Sequence, residues 1–149
     1  MKLSHFICIL ILFDFLLSCK AKMDMEVEKT NPLEGTTWEL TSGKWSREDT
    51  TFTFPGSPYD QCIMIFGKTH AAYVNQDTSR KVFSVISGSY GVNKDNLTIT
   101  IKMCRSYEDI GRSVNWKFKI EDDQLILNAK GYHFRGYDWK SDQVWKRID

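Results

Sequence analysis

The chain has 149 residues and a net charge of +1, from 20 basic and 19 acidic side chains. So even a balance provides no basic field for nucleic acid and no strongly acidic surface. One small domain with a modest core is the most that this length supports once a leader is removed.

Residues 1–18 read as a processing segment. Lys2 supplies a positive charge, and residues 6–17 form an apolar run interrupted by Asp14. The run is shorter than the ~20 residues that a membrane-spanning helix needs. It ends in Leu16-Leu17-Ser18-Cys19, which resembles the signal of a bacterial lipoprotein. The resemblance implies cleavage before Cys19, diacylglycerol on its sulfur and acylation of the new amine. It also implies attachment to a lipid membrane of the bacterial cell envelope, with the outer membrane as the expected site. An ordinary secretory signal is the plain alternative. Several acyl chains anchor stably where one does not. Residues 19–32 mix Lys20, Lys22, Asp24, Glu26, Glu28 and Lys29 without apolar periodicity, the composition of a tether.

From residue 33 onward the pattern is alternation, the period-2 signature of half-buried strands. Residues 36–42 form the first strand, led by Leu33-Glu34-Gly35-Thr36-Thr37-Trp38-Glu39-Leu40. Residues 50–54 follow, ended by Pro55-Gly56-Ser57-Pro58, and then strands at 61–66 and 69–75. Residues 82–92 make a long strand in which Gly88 marks a bulge or sharp bend. Asn93-Lys94-Asp95-Asn96 has hairpin-turn composition. In the next strand Leu97, Ile99, Ile101 and Met103 share one face, and after a loop Val114, Trp116, Phe118 and Ile120 do the same. Asp122-Asp123 turns into a strand at 124–128, a looser aromatic segment covers 130–141, and residues 143–148 close the chain. Short strands joined by tight turns predict an all-β, antiparallel up-and-down meander. Closure into a barrel of about eight strands covers its apolar face and removes its edges.

Five stretches, in this order, resemble the lipocalin-like domain of bacterial lipoproteins, within the calycin group of β-barrels. They are the Gly35-to-Leu40 opening, Thr69-His70 leading to Asp77, Lys81-Val82 through Gly88-Ser89-Tyr90, Trp116-Lys117-Phe118-Lys119-Ile120-Glu121, and Val144-Trp145-Lys146-Arg147. The resemblance implies a barrel over residues 33–149, closed at one end by Arg147 of the last strand lying on Trp38 of the first. A guanidinium on an indole face gains ~0.5–2 kcal/mol. The family's spacing is glycine-x-tryptophan; here Gly35-Thr36-Thr37-Trp38 has one residue more.

Chemistry beyond binding has little support. His70 and His133 are isolated, no zinc spacing occurs, and no nucleophile elbow or phosphate loop is present. The acidic pairs Glu108-Asp109 and Asp122-Asp123 read as solvated turns. No enzyme activity, cofactor or metal is therefore expected. Cys62 and Cys104 either form a disulfide across the barrel or remain two buried thiols. Aromatic residues in or beside loops, namely Tyr59, Tyr73, Tyr107, Tyr132, Phe134, Tyr137 and Trp139, either cap the core or line a barrel mouth. The expected function is binding of a small apolar or glycan-derived molecule, with Tyr73, Tyr90, Met103, Trp116 and Phe118 as inward-facing candidates alongside Trp38. The alternative is a filled barrel that docks on envelope proteins, whose identity the sequence leaves open.

Overall fold

The computed structural model describes residues 30–56, 59–79 and 81–149. The leader, Cys19 and most of the tether lie outside the described residues. Among the described residues, the unit Asn31–Asp149 holds every strand and the buried core. It therefore has what it needs to fold without the residues before it.

The strands are β1 (Thr36–Arg47), β2 (Thr50–Phe54), β3 (Tyr59–Phe66), β4 (His70–Asp77), β5 (Val82–Asn93), β6 (Asn96–Met103), β7 (Ser113–Glu121), β8 (Gln124–Phe134) and β9 (Tyr137–Arg147). A short 3₁₀ turn, η1 (Tyr107–Asp109), lies between β6 and β7. Every neighbouring pair is antiparallel in the order β2-β1-β3-β4-β5-β6-β7-β8-β9, and β1 also pairs with β9. That last pairing closes an eight-stranded up-and-down barrel, with β2 as an extra strand folded back on β1.

β1 serves three partners. Its start pairs with β3 from Thr36 to Glu39, its end pairs with β2 from Gly43 to Arg47, and its other edge pairs with β9 along most of its length. Between Leu40 and Ser42 the β9 register shifts. The extra residue, Thr41, donates its hydroxyl to Val144 O at 2.9 Å. A bulge of this kind reverses which side chains face inward. Trp38 and Leu40 point into the barrel before it, and Trp45 and Arg47 do so after it.

One end of the barrel is solid. Leu33, Trp38, Phe66, Leu97, Leu125, Leu127 and Trp145 are buried there, each large aliphatic or phenyl side chain contributing about 1.5–3 kcal/mol by leaving water. Their polar atoms are paired. Trp38 Nε1 donates to Thr36 Oγ1 at 2.6 Å, and Thr36 Oγ1 donates to Leu33 O at 2.6 Å. Trp145 Nε1 donates to Gln143 Oε1, and Gln143 Nε2 to Ser141 Oγ, each at 3.1 Å. Trp38 and Arg147 are direct partners across β1 and β9, with the guanidinium carbon 5.9 Å from the indole centroid, at the outer limit of cation–π range. Arg147 Nε also donates to Asp149 Oδ1 at 2.8 Å.

Of the two alternatives for Cys62 and Cys104, the structure has free thiols, of which only Cys62 is buried. Cys62 is buried on the inner face of β3, while Cys104 lies beyond the end of β6, where its Sγ donates to Ser106 O at 2.9 Å. The segment at 130–141 is not loose: β8 and β9 run on as a hairpin through it. A register shift between Ala129 and Tyr132 breaks the alternation that would have revealed the strands.

Gly88 sits at the β5–β6 register shift, and a Cβ there would run into the Thr100 carbonyl oxygen. A Cβ on Gly91, in the same strand, meets nothing within 4 Å. Gly88→Ala is expected to destabilise the domain by about 1–3 kcal/mol, and Gly91→Ala to stay within ~0.5 kcal/mol of the parent; denaturant melts of the two variants check this. Burial pushes the Cys62 thiol up to about 11, partly offset by a hydrogen bond with the Tyr73 side chain. The folded state therefore keeps a proton that the unfolded chain releases at its ordinary value of 9.0. Stability is full below pH 9.0 and falls as pH rises toward about 11. Cys62→Val is expected to flatten that part of the stability curve. In native protein at pH 8, a thiol reagent is expected to label Cys104 rapidly and Cys62 only after unfolding.

Candidate functional site

The other end of the barrel is open. Strand direction brings the β1–β2, β6–β7 and β8–β9 connections to this end. Within it lies a cavity of about 380 Å³, inside the range of small-molecule sites. Aliphatic side chains of Met64, Ala71, Ile86, Ile99, Ile101 and Val114 form part of the wall. Aromatic rings of Phe52, Tyr73, Trp116, Tyr132, Phe134, Tyr137 and Trp139 form much of the rest. The polar residues that reach the cavity are Arg47, Asn75, Ser84, Arg135 and Gln143.

The rim is held in shape by specific contacts. β8 and β9 meet in a two-residue turn at Arg135 and Gly136, with φ of 52° and 78°. Positive φ at both positions is the turn whose twist matches a tight hairpin. The Asp109 carboxylate, 1% exposed, accepts the Arg135 backbone N–H with its two oxygens at 3.1 and 3.2 Å. The acidic Glu108-Asp109 pair is thus not a simple solvated turn, since Asp109 ties η1 to the tip of the hairpin. Arg47 lies over Tyr137 at 3.6 Å from the ring centroid, and at 5.0 Å from that of Trp139. Phe52 packs on Trp139 with centroids 5.9 Å apart, joining β2 to β9. Trp139 Nε1 donates to Phe134 O at 3.0 Å, and Trp116 packs on Tyr132 at 6.1 Å.

Two polar atoms in this end differ from those of the closed end. Asn75 Oδ1 and Trp116 Nε1 are buried and have no hydrogen-bond partner among the described residues. Asn75 is 4% exposed, and both residues line the cavity. One is an acceptor on β4 and the other a donor on β7. Leaving such a group unpaired costs about 1–3 kcal/mol. The indole N–H groups of Trp38, Trp139 and Trp145 are satisfied, unlike that of Trp116.

Of the five sequence candidates, Tyr73 and Trp116 line the cavity. Tyr73 packs edge-on against Trp145, centroids 5.6 Å apart, where the cavity meets the solid core. Tyr90, Phe118 and Met103 are corrected. Tyr90 braces the closed end: its hydroxyl donates to Gly67 O at 2.8 Å, accepts from Asn31 Nδ2 at 2.7 Å, and its ring packs on Phe66 at 5.1 Å. Burial there pushes its hydroxyl's pKa above the usual tyrosine value, with the Asn31 amide opposing the shift. Phe118 packs against the solid core opposite Leu127. Met103 is 56% exposed, because Ser87 pairs with Met103 and Gly88 with Ile101. That bulge leaves Lys102 as the extra residue and turns Met103 outward.

The aromatic set splits in the same way: Tyr132, Phe134, Tyr137 and Trp139 line the cavity, and Tyr107 is 88% exposed. Trp45, Arg47, Phe52, Asn75, Ser84, Arg135 and Gln143 also line the cavity, and no sequence motif singles them out. For Asn75 a signal exists, an amide on a face otherwise held by Ala71 and Tyr73. His133 lies outside the cavity lining, its Nδ1 3.0 Å from Asp138 Oδ1 across the hairpin, and His70 sits beside Thr69. Among the described residues no group of three His, Cys, Asp or Glu side chains is arranged to hold a metal ion.

No protein-family model matches the chain, and no curated protein matches it. Two solved structures are similar to it. One is an uncharacterized protein from Bacteroides eggerthii, with 14% identity and a TM-score of 0.49 over 78% of this chain and 99% of that one. The other is a lipocalin-like protein from Bacteroides uniformis, with 13% identity and a TM-score of 0.49 over 78% of this chain and 98% of that one. In this chain's own strand pairing, eight antiparallel strands run up and down, β1 closes on β9, and one end is plugged while the other opens on a cavity: a lipocalin-like barrel.

Proposed function

We propose that the protein is a lipid-anchored, non-catalytic binding barrel of the bacterial cell envelope that holds one small, mainly apolar organic molecule. The observation that carries the reading is the cavity of about 380 Å³ with its apolar and aromatic wall. A barrel serving only as a scaffold gains nothing from leaving such a volume unfilled, and the closed end of this barrel is solid. The apolar wall favours a molecule with an apolar body over a bare glycan. The Leu16-Leu17-Ser18-Cys19 sequence, followed by a mixed-charge tether, supports the anchor.

Native mass spectrometry of residues 31–149, purified from a bacterial host without denaturation, tests the binding role. A small-molecule adduct that dissociates on collisional activation is the expected result. An adduct-free mass that persists after incubation with a bacterial lipid and metabolite extract overturns it. The anchor has a separate test. Cys19→Ala in the full chain is expected to move the protein from the membrane pellet to the soluble fraction, and retention in the pellet sinks the anchor while leaving the binding role intact.

A further inference from the structure

Arg47 and Arg135 both line the cavity. Neither forms an ion pair among the described residues, although five such pairs occur elsewhere. The nearby acids are engaged or turned outward. Asp109 holds the Arg135 backbone N–H and lies 3.7 Å from Arg112 Nε. Asp138 is on His133, and Glu48 and Asp49 are exposed in the β1–β2 turn. Two guanidiniums therefore reach one apolar cavity with no carboxylate between them. A guanidinium presents a planar fork of donors that suits a carboxylate or phosphate.

The body of the ligand is constrained as well. Trp116, Tyr132, Phe134 and Trp139 offer flat faces and edges, which pack best on another ring. A plain alkyl chain would fill the volume without using those flat faces.

Resting on the binding role above, we propose that the ligand is a ring-bearing organic anion. Its acid group lies at the rim against Arg47 and Arg135. Its flat body lies below, against Trp116, Tyr132, Phe134 and Trp139.

Calorimetric titration of residues 31–149 at low ionic strength tests this with three probes: a hydroxynaphthoate, the matching neutral hydroxynaphthamide, and decanoate. The hydroxynaphthoate is expected to bind ~10-fold or more tightly than either of the others, a difference of about 1.4 kcal/mol. The acid-to-amide ratio is expected to fall toward one in the Arg47→Gln/Arg135→Gln double variant. Should that variant not fold, the same ratio in the unaltered domain is expected to shrink as salt is raised. Equal affinity for acid and amide overturns the anion and leaves the binding role standing. Decanoate binding as tightly as hydroxynaphthoate overturns the ring-bearing body. If none of the three binds, the ligand class is wrong. An adduct in native mass spectrometry would then preserve the binding role, and an adduct-free mass would remove both.

Discussion

The pairing of β1 with β9 is the constraint on which the rest depends. Without it the meander is an open sheet with two exposed edges. With it, a single strand takes part in both ends of the molecule. The bulge at Thr41 lets β1 do this, because it exchanges the inward and outward faces halfway along the strand. Trp38 and Leu40 go into the solid core, while Trp45 and Arg47 go to the cavity. A Cβ on Gly43, just after the bulge, would meet the Trp45 ring, so the absence of a side chain there is what lets that indole lie back along the strand.

The two ends divide stability from binding. At the closed end, large apolar side chains are fully buried and the polar atoms beside them are paired through short chains such as Trp145–Gln143–Ser141. That end supplies the free energy that makes an imperfect open end tolerable, since stability is a small difference between large terms. At the open end the aromatic rings are held in position by one another and by Asp109, yet two polar atoms stay unpaired. Gln143 belongs to both regions: it accepts from Trp145 below and borders the cavity above. The boundary between core and site thus includes a hydrogen-bonded residue beside the apolar Met64, Ala71 and Ile99.

Where alternation was unbroken, the sequence was legible to the residue. Leu97, Ile99 and Ile101 face inward as their spacing indicates, and so do Val114 and Trp116. Gly88 marked its bulge because a missing side chain is visible in a sequence. The errors of facing share one cause. A bulge adds a residue and inverts the parity of everything after it, leaving no compositional trace when the residue is Thr41 or Lys102. Counting in steps of two from Leu40 puts Trp45 and Arg47 outside; counting from Ile101 puts Met103 inside. Both answers are reversed by one residue. At the Ala129–Tyr132 shift, Lys130-Gly131 interrupts the pattern and hides the β8–β9 hairpin that supplies most of the rim. Tyr90 and Phe118 were placed on the correct face but at the wrong height, because alternation reports facing and says nothing of depth along the barrel axis.

Arg47 shows how one side chain serves both architecture and recognition. Its guanidinium lies over Tyr137, 3.6 Å from the ring centroid, so the attraction uses the flat face of the cation. The N–H donors of a guanidinium lie in its plane, and stacking leaves them unspent. The same contact pins a side chain that would otherwise lose much rotamer freedom on meeting a ligand. An arginine held this way is pre-organised: its position is set by packing against β9, and its hydrogen-bonding edge stays free for whatever reaches the rim. Replacing the ring contact by an ion pair would hold the residue equally well but consume the donors and the charge. The aromatic rim therefore does more than provide apolar area. It orients a cation without neutralising it.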